Sequence, residues 1–387
     1  IPFEEVKEMK LFCSRDELVR SLQMATRVLP AKTSIPVLNG IVLETRDDQL
    51  FCFASDLENG IEVKVPEVTI ITPGRVVLSG RTFYDVVRHL PPGRIEMGIE
   101  GKTFMIKAAS TFFNLNILPA EEYPAVPDGL KKIHLYMEEQ TGLSGEELLF
   151  SLEAPTFEEA VRQSIYATAP HDSRPFLSSI LWEFKPDRLR LVATDINRLV
   201  VKDLTVAGNS EDSFLVPVKS LKELAAIFGG YPDEEITFFL INRQLYAVGK
   251  GIIYYTRLIN AQFPRYEQVI PESFDGEARF NRSLLLSSLS RSLLIDKAVK
   301  LSFGPDRLTI FALDPERGQF NEEVGCSYDG EPFEIGFNAQ YIIDFLKAVG
   351  DAEEIVFNLS AGMKASALKV KEVATYTYVL MPLRLNY

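Results

Sequence analysis

The stretch Arg188–Leu204, "RLRLVATDINRLVVKDL", alternates apolar and polar residues up to Asp195 and again beyond it, as two half-buried strands joined at a tight turn would. It has two counterparts. "QLFCFASDLENGIEVKV" surrounds Asp56 and "RLTIFALDPERGQFNEEV" surrounds Asp314, each in the same order of strand, aspartate and strand. An aspartate at such a turn is read as a turn residue whose carboxylate accepts backbone N–H bonds. The competing reading is a catalytic carboxylate. Equivalent positions in three separate domains cannot share one substrate, which favours the turn.

The repeat extends in both directions. "SGRTFYDVVRHLPPG", "PVKSLKELAAIFGG" and "NAQYIIDFLKAVGD" have helical spacing, with Phe83, Leu221 and Tyr341 lying 27, 26 and 27 residues past their aspartates. Gly or Pro closes each one. Ahead of each Asp, "SRDELVRSLQMATRVL", "TFEEAVRQSIYATA" and "NRSLLLSSLSRSLLI" predict an earlier helix. Ser14, Thr156 and Asn281 are the expected N-caps, with Glu17 and Glu159 completing capping boxes. More alternating strands follow each second helix. The fold expected is α+β: three repeated domains, each with two helices packed on antiparallel sheets. Their boundaries are placed at 9–130, 131–270 and 271–387. Asp56 to Asp195 spans 139 residues and Asp195 to Asp314 spans 119, so the first junction carries a surplus. The polar, helix-prone stretch 131–148 accounts for it, as an ornament on that junction.

A chain of 387 residues agrees with three domains at roughly 100–200 residues each. Apolar residues at 46% and charged residues at 25% exclude a disordered or fibrous class. No apolar run approaches the roughly 18–20 residues of a membrane span. The opening "IPFEEVKEMK" carries acids where a secretory leader would carry bases, so a cytoplasmic protein is expected, with Met9 as a candidate natural start. Cys13, Cys52 and Cys326 are scattered among apolar neighbours, as reduced thiols would be.

Nothing in the sequence suggests catalysis or a metal site. His89, His134 and His171 lack ligand spacing. The Gly-Lys-Thr at 101–103 has Glu96 where a phosphate loop needs glycine, and reads as a hairpin turn. No cofactor is expected. Net charge is −13, which by itself argues against a partner rich in phosphate. Its distribution argues otherwise. The six helical segments, 14–32, 79–94, 156–174, 217–230, 279–300 and 338–350, hold 17 bases and 9 acids, leaving 24 bases and 45 acids elsewhere. Basic helices gathered on one surface of an acidic protein can still face nucleic acid.

"MKLFCSRDELVRSLQMATRVLPAKTSIPVLNGIVLE", "LVATDINRLVV", "FPRYEQVIP", "EIGFNAQYIIDFLKAV" and "TYVLMPLRL" together resemble the bacterial DNA polymerase III β subunits, the β sliding clamps. The likeness runs from about Met9 to Leu385 and spans all three repeats. It implies a non-catalytic processivity factor: a head-to-tail homodimeric ring that encircles duplex DNA with helices inside and sheets outside. Twelve helices spaced roughly 10 Å apart would leave a hole near 28 Å once one helix diameter is subtracted. That clears a duplex. Partners implied are the replicative polymerase α subunit, the clamp-loader δ subunit, and other polymerases and repair proteins bearing clamp-binding peptides.

Carried over position by position, the resemblance implies DNA contacts from Lys32, Arg81, Arg88, His171, Arg174, Phe176 and Lys219. Pro175 stands where the family has an aromatic, so stacking by that loop is not carried over. A peptide pocket is implied at Leu177, Thr194, Arg198, Leu199, Pro264, Val269, Val379, Met381, Pro382 and Leu383. Ile196 and Asn197 replace a usual Gly-His, and Gln268 a frequent Arg, which bears on peptide preference. Asn386 and Tyr387, past the usual ending, are expected to fray. Ring closure is implied at Phe113 and Leu115 of a domain-one edge strand, against Leu293 and Leu294 of domain three. The other function class compatible with the repeat is a peptide-binding scaffold that never encircles DNA.

Overall fold

The computed structural model describes residues 8–139, 143–144, 147–207, 212–371 and 373–385. Asn386 and Tyr387 lie outside these. The chain packs into two compact units, one running from the start of the described chain to Ala154 with Lys222–Leu258, the other joining Pro155–Leu221 to Ile259 and the rest of the chain. The middle repeat is divided, giving some of its strands to each unit.

Each repeat supplies the two expected helices: α1 (Arg15–Thr26) and α2 (Gly80–His89), then α4 (Ala154–Ile165) and α5 (Val218–Phe228), then α6 (Arg282–Ser292) and α7 (Ala339–Ala348). An additional helix, α3 (Asp128–Glu139), lies at the first junction. Apolar spacing drives their packing: Leu18, Leu22 and Ala25 fall on one buried stripe of α1, and Ile342, Ile343 and Leu346 on one of α7. Asn281 caps α6 by accepting from Leu284 N at 3.2 Å. Ser14 takes the N-cap position of α1 without a side-chain cap bond.

Thr156 is not a cap. α4 begins two residues earlier at Ala154, because Pro155 fits a first helical turn whose N–H groups have no partner in the helix. Ala154 N donates instead to Glu234 O at 2.9 Å.

Among the described residues, the first unit holds a thirteen-stranded antiparallel sheet, and the second a nine-stranded and a four-stranded one. The three aspartates sit where strand meets strand. Asp56 Oδ1 accepts from Glu58 N and Asn59 N at 3.1 and 2.6 Å. Asp195 Oδ1 accepts from Asn197 N and Arg198 N at 3.0 and 3.1 Å, and Asp314 Oδ1 from Glu316 N and Arg317 N at 2.9 and 2.8 Å. All three are Asx turns. Gly101, at φ +64, turns the hairpin between Arg94–Glu100 and Thr103–Ala108, as the Gly-Lys-Thr reading expected.

The strand leaving each turn shows how repeats are joined. In the first unit Asn59–Val65 pairs with Ile252–Arg257, and in the second Arg198–Thr205 pairs with Tyr376–Leu380. The third copy, Gly318–Gly325, pairs among the described residues only with Arg307–Asp314. The strand Thr111–Leu118 occupies the matching place in the first repeat; it pairs with Thr103–Ala108, and on its other side, among the described residues, only Ile117 and Leu118 find a strand partner. Two complementary sheet edges are thus left open.

α3 corrects the expectation of an ornament at 131–148. Leu130 and Ile133 are fully buried in a core with Val42, Phe53, Tyr123, Phe239, Tyr246 and Tyr255. At about 1.5–3 kcal/mol for each large apolar side chain, this anchors the helix to strands of the first repeat, through Val42 and Phe53, and of the second, through Phe239, Tyr246 and Tyr255. Glu62, almost fully buried, adds a polar tether: its Oε1 lies 2.6 Å from His134 Nε2 on α3, and its other oxygen accepts from Arg46.

Candidate peptide pocket and charged surfaces

The second Asx turn opens onto a cavity of about 260 Å³. Its floor follows from strand register, because Leu199 stands directly opposite Val379 where Arg198–Thr205 meets Tyr376–Leu380. Both are buried, as is Thr194. Met381 N continues the ladder by donating to Asn197 O at 2.9 Å, which brings the Met381 side chain to the cavity wall. Phe176 and the segment Pro264–Tyr266 form another wall, braced by Phe263 edge-on to Phe176 at 6.0 Å and to Tyr266 at 6.3 Å. Tyr266 donates to Glu183 Oε2 at 2.7 Å, and burial pushes its hydroxyl up to about 12. It stays a neutral donor. Val269 and Ile196 are exposed at the mouth.

Seven of the ten pocket residues implied by the sequence therefore come together: Thr194, Arg198, Leu199, Pro264, Val269, Val379 and Met381. Leu177, Pro382 and Leu383 do not line the cavity. Leu177 is buried in the 3-10 turn Pro175–Ser178 behind it. Pro382 is buried past the end of the last strand. Leu383 bridges to Gly336, its N–H donating to Gly336 O at 2.7 Å. Leu118 and Ile259 make the corresponding contacts with Val77 and Leu215, so Leu383 closes the third repeat as they close the first two. Phe176, expected on a DNA-contacting loop, also lines the pocket, where it packs edge-on against Phe263.

Arg198 lines the pocket, but its charge is engaged elsewhere. At 8% exposure it donates from Nε to Asp195 Oδ2 at 2.8 Å, from Nη1 to Asp344 Oδ2 at 2.7 Å, and from Nη2 to the Tyr166 carbonyl. The Tyr341 ring lies 4.3 Å from the guanidinium carbon. Burial holds the Tyr166 and Tyr378 hydroxyls well above the usual phenol range, so both remain neutral; Tyr378 donates to Tyr341 O at 3.0 Å. All three guanidinium nitrogens are thus engaged within the protein.

At the first junction the same motif is packed differently. By register Gly60 and Tyr255 are the counterparts of Leu199 and Val379. The Tyr255 ring covers Gly60 so closely that a Cβ there would come within 2.2 Å of it. Tyr255 also hydrogen-bonds Ser55 Oγ at 3.0 Å and shares a core with Leu130 and Ile133 of α3. The equivalent groove is filled by the chain itself.

Of the side chains implied in DNA contact, Lys32, Arg81, Arg88, His171, Arg174 and Lys219 are exposed. Arg88 pairs with Asp85 at 3.3 Å. Arg174 forks onto Asp172 at 2.9 and 2.8 Å, and that bond, with the Arg174 backbone N–H, holds the Asp172 carboxyl well below the usual carboxylate range. Phe113 and Leu294 are exposed, at 37% and 75%, while Leu115 and Leu293 are half-buried. Sequence reasoning did not find Phe112, which is 55% exposed beside Phe113. The signal was available, since two adjacent aromatics cannot both face one core from a single strand. No group of His, Cys, Asp and Glu that could hold a metal occurs among the described residues, and no described helix is long and apolar enough to cross a membrane.

Family models for the N-terminal, central and C-terminal domains of the DNA polymerase III beta subunit match residues 9–127, 151–265 and 267–384. The beta sliding clamp of Staphylococcus epidermidis is 27% identical over 391 residues, covering 97% of this chain and 99% of its own. That of Escherichia coli is 27% identical over 385 residues, covering 97% and 100%. The crystal structure of the DNA polymerase sliding clamp from Bacillus subtilis superposes with a TM-score of 0.89 at 26% identity, covering 98% of this chain and 100% of that one.

Proposed function

From the premise that the chain belongs to the DNA polymerase III β subunit family, we propose that it is a DNA sliding clamp, a ring of two copies that encircles duplex DNA and tethers the replicative polymerase. The observation that carries this is the pair of open edges. Two repeat junctions within the chain are closed by antiparallel pairing, and the third would be closed by Gly318–Gly325 of one copy meeting Thr111–Leu118 of another. Repeated at both ends, that contact is head-to-tail and closes on itself. Phe113 and Leu115 would meet Leu293 and Leu294 there. On this reading the domains are 9–130, 131–270 and 271–387, and chemistry on DNA belongs to the bound polymerase.

Electrostatics supports the same reading. A ring holds DNA by topology, so Lys32, Arg81, Arg88, His171 and Lys219 need only weak, exchangeable contact with phosphate, which permits sliding without sequence preference. Asp172 damps the Arg174 charge in the same sense. The pocket would take short apolar peptides from the polymerase α subunit, the clamp-loader δ subunit and other replication or repair partners. A cavity this small, with few buried anchors, suits binding near the micromolar level, about −8 kcal/mol, so that partners can exchange. Action in the cytoplasm accords with a role in replication.

The deciding measurement is retention on DNA. Protein placed by a clamp loader on a nicked circle should remain bound through gel filtration and be lost when the circle is cut. Equal retention on both would favour a peptide-binding scaffold that binds DNA, if at all, without encircling it.

A further inference from the structure

One cross-strand pair holds the same place in each repeat. Glu44 faces Arg75, Glu183 faces Ser213 and Ser302 faces Glu334. From Glu44 to Glu183 is 139 residues and from Glu183 to Ser302 is 119, the spacings of the three Asx turns. In two repeats charge closes the pair. Arg75 Nε lies 4.0 Å from Glu44 Oε1, with Arg46 at 3.7 Å from the other oxygen. Ser302 donates to Glu334 Oε1 at 2.8 Å, and Lys300 Nζ lies 3.2 Å from Glu334 Oε2. In the second repeat Lys185 takes the part of Arg46, its Nζ 3.0 Å from Glu183 Oε1. The place of Arg75 falls to Ser213, and among the described residues no hydrogen bond joins it to Glu183.

A cavity of about 600 Å³ opens over that pair. Buried Leu181 and Leu215 form its floor, and residues 260–267 its opposite wall. It shares only Pro264, Arg265 and Tyr266 with the peptide pocket, on the other side of that segment. The charged side chains lining it are Glu183, Glu267 and Arg265, and Arg265 makes no ion pair with Glu183. Tyr266 holds Glu183 in place from one side at 2.7 Å. A carboxylate offers roughly four acceptor positions, so Tyr266 and Lys185 leave Glu183 room for a further donor. Half-buried Phe214 and Phe263 add aromatic surface. A guanidinium suits such a site better than an ammonium, being planar, weakly hydrated and able to stack on a ring while it donates to carboxylates.

We propose that this cavity is a guanidinium site. It takes from outside the chain the group that Arg75 supplies to Glu44 within the first repeat: the guanidinium donates to Glu183 and lies against Phe214 and Phe263. A small guanidinium compound and an arginine side chain of a bound segment share this chemistry.

The test titrates the full chain with N-acetyl-arginine methylamide and with its citrulline analogue, which keeps the shape and lacks the charge, and reads binding by ligand-observed NMR. The arginine compound should bind about tenfold more tightly, as expected for a hydrogen bond between charged groups. S213R, which supplies the arginine from within, and E183Q, whose amide oxygen still accepts from Tyr266, should each abolish that advantage. Equal binding of the two compounds to the wild type would overturn the proposal, as would an advantage that survives in both variants. A Leu-Phe peptide extended by arginine, set against its citrulline form, identifies the source. An advantage that E183Q removes assigns the site to partner arginines, and its absence assigns it to a free guanidinium compound. Only this peptide arm rests on the pocket reading, so failure of the pocket leaves the blocked-arginine result to decide the proposal.

Discussion

Asp195 and Arg198 stand three residues apart, yet one was legible in the sequence and the other was not. The threefold recurrence of the aspartate at a strand junction already implied an Asx turn, since a turn is local chemistry. Arg198 appeared beside it as a pocket residue. Its guanidinium is spent on Asp195, Asp344 and the Tyr166 carbonyl, and two of those partners are remote in sequence, Asp344 on α7 and Tyr166 in the turn just past α4. No local pattern encodes that. Replacing Arg198 by alanine leaves two carboxylates facing each other and a carbonyl without its donor. The expected cost is about 3 kcal/mol, the lower end for breaking a buried pair because Asp344 retains some solvent. The urea midpoint of R198A should fall accordingly. An unchanged midpoint would mean the network contributes nothing net to the fold.

Helices and strands were largely readable because amphipathic spacing and turn residues are properties of short windows. The six repeat helices fall where the pattern placed them. α3 was only half seen. The window taken as polar began at Lys131, whereas the helix begins at Asp128 and buries Leu130 and Ile133 three residues apart. Its apolar face was thus cut at its first contact. The consequence is structural: α3 and the Tyr255 ring fill, at the first junction, the groove that remains open at the second. Ile133→Asp would put an unpaired carboxylate into that core, at a cost of several kcal/mol. Because Ile133 belongs to the first compact unit and the pocket to the second, hydrogen exchange should quicken through Asn59–Val65 and Ile252–Arg257 while the strands flanking the pocket keep their protection. Uniform loss of protection would show that the two units unfold as one.

For the molecule as a whole, what matters is what each repeat leaves unsatisfied. A sheet edge exposes a row of N–H and C=O groups, and proteins cover, charge or pair such edges. Here the edge at 111–116 carries exposed Phe112 and Phe113, which neither charge nor cover it, and Gly318–Gly325 offers the complementary edge. Both were foreseeable from the repeat, since three copies joined in series use two junctions and leave one half-junction at each end. Substitution at the surface can test this without disturbing the core. Phe113→Asp and Leu294→Glu alter side chains that are already 37% and 75% exposed, so each folded monomer should keep its circular dichroism spectrum and lose little stability. Wild-type protein at micromolar concentration should scatter light as a particle near twice 43.6 kDa, whereas the double variant should scatter near 43.6 kDa and no longer be retained on circular DNA. A double variant that remains dimeric would place the contact between copies elsewhere. A wild type that is monomeric at that concentration would remove the ring, and with it the topological hold on DNA that a net charge of −13 makes necessary.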